Sequence, residues 1–146
     1  MSDSDAPRLL VYGAYGYTGR LVVEAAIDRG YDPIVAGRDA AKTRGVATAN
    51  DLRARSFPVA DAGDHLGDVD AVLNCAGPFA ETADAMVDAC IDAGTHYLDV
   101  TGELPVFERV RRRGPDAAAA GVPLLPGVGS DVVPTDGLAP PPQAPL

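Results

Sequence analysis

Leu9-Leu10-Val11-Tyr12-Gly13-Ala14-Tyr15-Gly16-Tyr17-Thr18-Gly19-Arg20-Leu21-Val22-Val23-Glu24-Ala25-Ala26-Ile27 is the stretch that decides the fold. A short apolar β-type run, three glycines spaced three apart and an apolar helical pattern describe a strand, a tight turn and a helix. That unit presents backbone N–H groups and the positive end of a helix to a phosphate. Gly13 lets the chain turn sharply off the strand, Gly16 lets a pyrophosphate touch the backbone, and Gly19 lets the helix pack close to the sheet. The turn, with Tyr15, Tyr17 and Thr18 among its residues, reads as a dinucleotide-binding turn, against the plainer alternative of a glycine-rich loop.

Outward from this unit, strand and helix alternate. Gly30 stops the first helix. Pro33–Gly37 reads as the second strand, with Arg38 and Asp39 at its carboxyl end and Asp39 as the cap of a short helix. Residues 52–59 alternate as a third strand does, and Asp61 follows. Asp70–Cys75 is nearly all apolar, the pattern of a strand buried on both faces. Gly77-Pro78-Phe79 turns the chain into a helix with apolar residues at Ala83, Met86, Val87, Cys90 and Ile91, ended by Gly94. His96–Val100 is a fifth strand, residues 104–120 are helical with a break at Gly114-Pro115, and Val122–Pro126 is a proline-bearing edge strand. The order predicts an α/β fold, a doubly wound parallel sheet with its ligand at the carboxyl ends of the strands, near the switch between the first and fourth.

The 146 residues amount to one domain, large enough to bury about two-thirds of its unfolded surface. A net charge of −9 argues against a nucleic-acid partner, which needs a basic face; the basic run Arg109–Arg113 reads as a solvated helix face. No apolar run reaches membrane-spanning length and the acidic start Met1–Asp5 is unlike a signal peptide, so a cytoplasmic protein is expected. Cys75 and Cys90 lack metal-ligand spacing, and neither a disulfide nor a metal site is expected.

Five segments together resemble the saccharopine dehydrogenase-like oxidoreductases, particularly the branch that includes trans-acting enoyl reductases: Gly13–Gly19, Ala36-Gly37-Arg38, Asn74–Phe79, His96–Glu103 and Pro126–Asp136. The resemblance runs from Arg8 to Leu138 and covers only that family's amino-terminal cofactor domain. It implies an NADP-dependent oxidoreductase whose substrate pocket and dimer contacts come largely from a second domain, absent from this chain. The expected division is a disordered acidic segment over 1–7, the dinucleotide-binding domain over 8–138 and a proline-rich tail over 139–146. Within it, Gly127–Asp136 opens a helix that the prolines cannot continue. A truncated enzyme, inactive by itself and prone to self-association, is the expectation.

The residues after the second strand choose the cofactor. Arg38, preceded by the small Gly37, suits the 2′-phosphate of NADP; Asp39 is the rival that would take the ribose of NAD, and its role as helix cap already accounts for it. The resemblance implies arginine recognition, so NADP is favoured over NAD. Asp61 is placed either to meet the adenine amino group or to end a surface turn. The loop Cys75-Ala76-Gly77-Pro78 leaves the fourth strand beside the glycine turn, and its small residues let the nicotinamide lie against the backbone. Cys75 is not expected to be a nucleophile. His96, Tyr97, Asp99 and Glu103 lie on the side where a substrate meets the nicotinamide, each able to shuttle a proton; none is singled out as catalytic. The Tyr-x-x-x-Lys pair of short-chain dehydrogenases is lacking, since Lys42, the sole lysine, follows Arg38 at that spacing. A non-catalytic NADP-binding sensor or partner-binding module remains the alternative.

Overall fold

The computed structural model describes residues 6–128; residues 1–5, the proline-rich tail and all but the first two residues of the helix start expected over Gly127–Asp136 lie outside them. Six parallel strands form one sheet in the order β3-β2-β1-β4-β5-β6: β1 Leu9–Tyr12, β2 Ile34–Gly37, β3 Ala54–Ser56, β4 Ala71–Asn74, β5 His96–Asp99 and β6 Leu124–Leu125. The switch in direction falls between β1 and β4, where such sheets open their crevice. Helices α1 (Tyr17–Asp28), α2 (Ala40–Asn50), α3 (Phe79–Ala93), α4 (Leu104–Arg112) and α5 (Gly114–Ala120) connect the strands.

The punctuation follows the local chemistry. Gly30, Gly94 and Gly121 sit at positive φ just past α1, α3 and α5, and Asp39 accepts a hydrogen bond from Lys42 N at 2.9 Å as the cap of α2. Gly114-Pro115 divides α4 from α5. Residues 52–59 depart from the alternation reading: only Ala54–Ser56 is strand, and after Pro58 the chain winds into a 3-10 helix, Val59–His65. Pro58 has no N–H to extend the ladder, and Phe57 turns inward to stack on His65 at 4.3 Å. Arg55 ties this region down, donating to the His65 carbonyl at 2.7 Å and to both carboxylate oxygens of Asp68 at 2.7 and 2.6 Å.

The core is thicker on one face of the sheet than on the other. On the face packed by α3 and α4, Ile34, Leu10, Val72 and Tyr97 stand side by side in register, all fully buried. On the opposite face, Val35 and Val11 are fully buried beneath α1 and α2, but Leu73 and Leu98 are half-buried and Leu125 is 50 % exposed. The expectation that the fourth strand is buried on both faces is therefore corrected. Right-handed crossovers to the far side of the switch carry α3 to α5 onto one face only.

Candidate functional site

A cleft of ≈ 450 Å³ opens at the carboxyl ends of β1, β2 and β4. Tyr12, Gly13, Tyr15 and Gly16 line it from the turn, Gly37 and Arg38 from the end of β2, and Cys75, Ala76, Gly77 and Pro78 from the loop after β4. Pro58, Val59 and Ala60, with Glu81 and Thr82, complete the wall.

The three glycines divide their tasks unequally. Gly13 has φ +83°, and a Cβ there would stand 2.8 Å from Ala76 N. A Cβ on Gly19 would overlap the Gly13 carbonyl oxygen. Those two positions are fixed by the fold itself. Gly16 lies in ordinary extended backbone, φ −74° and ψ 169°, and a Cβ there would meet nothing closer than 3.5 Å, so its missing side chain leaves space on the cleft side. Gly16 also caps α1 without any side-chain hydrogen bond, and the first turn carries no acid. By contrast, Asp39 caps α2, and Phe79 N at the head of α3 donates to Glu103 Oε2 at 3.1 Å. Of these three helix starts, that of α1 keeps its N–H groups and partial positive charge for an anion.

Tyr15 braces the neighbouring corner. Its ring occupies the space a Cβ on Gly37 would need, at 2.5 Å, and its hydroxyl accepts from Asp39 N at 3.3 Å. The room at Gly37 thus serves Tyr15 directly. Arg38 is exposed and enters none of the ion pairs among the described residues, and Lys42 Nζ lies 5.7 Å from the Tyr15 ring centre. Tyr17, 83 % exposed, and Thr18 lie on the outer side of the first helical turn, and neither lines the cleft. Asp61 is exposed on the 3-10 helix, outside the lining, while the preceding Pro58, Val59 and Ala60 are within it. Those three escaped the sequence reading because a strand ending at residue 59 hid the turn, and Glu81 and Thr82 because they lie in the first turn of α3, past the loop expected to form the wall. The Pro58 breaker was the signal available.

Beyond β4 the titratable residues part company. His96 pairs with Ala71 at the amino ends of the strands, the end away from the cleft. Tyr97 and Asp99 are fully buried on the α3 side, the Tyr97 hydroxyl donating to Asp99 Oδ2 at 2.6 Å. Burial, then the neighbouring Asp99 charge, push the Tyr97 hydroxyl far above the usual phenol range. Burial likewise raises the Cys75 thiol to about 12, which keeps it protonated and unreactive at neutral pH. Glu103 is committed to the head of α3. Arg109 and Arg113 reach back from the α4–α5 region to Asp84 and Asp88 of α3, so the basic run straps two helices together.

Glycine turn, uncapped helix and switch-point cleft define a Rossmann-type dinucleotide-binding fold. The saccharopine dehydrogenase NADP-binding domain profile matches residues 9–125, and the chain belongs to that family. A trans-acting enoyl reductase of Mycobacterium leprae is 32 % identical over 139 residues, 88 % of this chain and 33 % of its own length. A lipid droplet localized protein of Caenorhabditis elegans is 30 % identical over 145 residues, 88 % of this chain and 34 % of its own. The chain thus spans about a third of the length of these relatives. Among solved structures, the apo saccharopine dehydrogenase (L-Glu forming) of Saccharomyces cerevisiae superposes with a TM-score of 0.74 at 22 % identity, over 86 % of this chain and 28 % of that one. No helix among the described residues is long and apolar enough to cross a membrane, and none of their His, Cys, Asp and Glu residues group as metal ligands.

Proposed function

We propose that the chain binds NADP(H) in the switch-point cleft and forms the cofactor-holding part of an oxidoreductase. The observation that carries this reading is the uncapped start of α1 at Gly16, beside an exposed Arg38 that forms no ion pair among the described residues. The pyrophosphate lies against the Gly13–Gly16 backbone and the α1 N–H groups, and Arg38 meets the ribose 2′-phosphate. The nicotinamide half extends along Cys75, Ala76, Gly77 and Pro78. When bound, the dinucleotide supplies or accepts a hydride; the protein orients it and excludes water from one side. Substrate contacts and the second wall of the cleft come from outside residues 6–128. A charge-assisted contact contributes about 1.5–3 kcal/mol, so Arg38→Ala removes about 10- to 100-fold of a preference for NADPH over NADH. Fluorescence titration of both cofactors tests this, and equal affinities in the unmutated chain would overturn the choice of NADP.

A second reading, a cofactor-holding module without turnover, is favoured by one specific observation. Of the four residues considered as proton shuttles, His96 lies at the amino ends of the strands, away from the cleft, and Tyr97, Asp99 and Glu103 are occupied in structural hydrogen bonds. Purified chain supplied with NADPH and a panel of imines, enones and 2-keto acids separates the readings by turnover. A cytoplasmic site of action is part of this proposal, and fractionation of cells into soluble and lipid-associated material checks it.

A further inference from the structure

A chain of hydrogen bonds, buried at Asp99 and Tyr97 and half-buried at Thr82 and Ala76, runs from the exit of β6 to the cleft wall. Asp99 Oδ1 accepts from Thr101 N at 3.0 Å and Gly127 N at 2.9 Å, and its Oδ2 accepts from the Tyr97 hydroxyl at 2.6 Å. Asn74 Nδ2 donates to the Tyr97 oxygen at 3.4 Å and to Thr82 Oγ1 at 3.2 Å. At the far end, Ala76 is held by both polar backbone groups: its N–H donates to Asn74 Oδ1 at 3.1 Å, and its carbonyl accepts from Thr82 Oγ1 at 2.7 Å. Asn74, Tyr97 and Asp99 are all fully buried.

The donors and acceptors allow one arrangement. A carboxylate only accepts, so Tyr97 must point its proton at Asp99 and offer a lone pair to Asn74. Asn74 then keeps its NH2 toward Tyr97 and Thr82 and its carbonyl oxygen toward Ala76 N, and the Thr82 proton is free for the Ala76 carbonyl. A donor in place of Asp99 Oδ2 reverses the Tyr97 hydroxyl toward the Asn74 NH2, donor against donor. Turning the Asn74 amide over would only set its NH2 against the Ala76 N–H. Buried networks of this kind tolerate no half-satisfied member.

From this we infer that Asp99 is a positioning residue: through Tyr97, Asn74 and Thr82 it sets the Ala76 peptide that forms the nicotinamide-side wall of the cleft. The inference rests on the NADP(H) reading above. It sorts ligands, because only the nicotinamide half touches this wall, whereas 2′,5′-ADP occupies the glycine turn and Arg38. Calorimetric titration of the 146-residue chain with NADPH and with 2′,5′-ADP tests it. Asp99→Asn and Thr82→Val each weaken NADPH about tenfold, leave 2′,5′-ADP within about twofold, and Thr82→Ser, which keeps the hydroxyl, restores NADPH. The Thr82 pair reads the far end of the network without touching the buried carboxylate, so a poorly folding Asp99→Asn still leaves a decision. Variants that weaken both ligands equally, or neither, would overturn the inference alone. An unmutated chain that binds 2′,5′-ADP and NADPH not at all overturns the cofactor reading and the inference with it.

Discussion

At the scale of single residues, the glycine turn separates what the fold requires from what a ligand requires. Gly13 and Gly19 are demanded by backbone approaches that exist with the cleft empty, whereas Gly16 has room for a side chain and an ordinary conformation. Gly16→Val should therefore keep its circular dichroism, lose about 1 kcal/mol or less through the poorer N-cap, and no longer bind NADPH. Gly19→Ala should cost about 3 kcal/mol or more, because backbone and not a flexible side-chain tip must move. Urea titrations beside NADPH titrations check both, and a Gly16→Val chain that binds normally would remove the turn from the phosphate site. The sequence carried all three glycines with equal weight, since spacing alone carries no information about what each missing Cβ would meet. The same limit applied to Gly37, read as making room for a phosphate and found beneath the ring of Tyr15.

Individual elements show where period and capping chemistry sufficed and where they did not. The cap of α2, the glycine stops and the break at Gly114-Pro115 were legible because each rests on one or two adjacent residues. The 3-10 helix was not, because its driving contacts, Phe57 on His65 and Arg55 on Asp68, span 8 and 13 positions. Asp39→Ala should lower stability by about 1 kcal/mol through the lost cap while the preference for NADPH over NADH stays. A variant that gains or loses NADH affinity instead would return Asp39 to the ribose. The Arg55–Asp68 pair carries a pH signature. Hydrogen bonding from Arg55 holds the Asp68 carboxyl down at about 2, below its ordinary 3.8. A folded-state value below the unfolded one means stabilisation that is complete above about pH 4 and is lost as pH falls toward 2. Both partners are solvent-accessible, so the contribution is under about 1 kcal/mol. Urea midpoints of the unmutated chain and Asp68→Asn should differ slightly at pH 6 and converge near pH 2; a constant difference would contradict the assignment.

For the molecule as a whole, the topology followed from strand and helix order, but the coverage of the sheet did not. An all-apolar strand reads the same whether a helix lies over its second face or not, and Leu73, Leu98 and Leu125 look like core residues in the sequence. In the fold Leu73 and Leu98 are half-buried and Leu125 is half-exposed, side by side in register on the face opposite α3. Apolar surface of this kind promotes association. The purified chain should therefore run larger than a monomer in size-exclusion chromatography with light scattering, and Leu125→Glu should shift it toward one. Robust turnover from a clean monomer would contradict both this expectation and the module reading.

The approach of Gly13 to Ala76 has one more consequence, for how the cleft breathes. No side chain separates the turn after β1 from the loop after β4, and the strands stay stitched past their last paired residues: Gly13 N and Ala14 N donate to Ala36 O, and Cys75 N donates to Tyr12 O at 2.7 Å. The floor of an open, water-facing cleft is thus stitched by backbone at Gly13, Ala14 and Cys75, with the Asn74 and Thr82 side chains fixing only the next peptide, Ala76. In hydrogen exchange, the amides of Gly13, Ala14 and Cys75 should survive as long as those of buried β1, exchanging only when the whole domain opens. Local fluctuation then belongs to the walls, and the spacing between the two halves of the site is as fixed as the sheet itself.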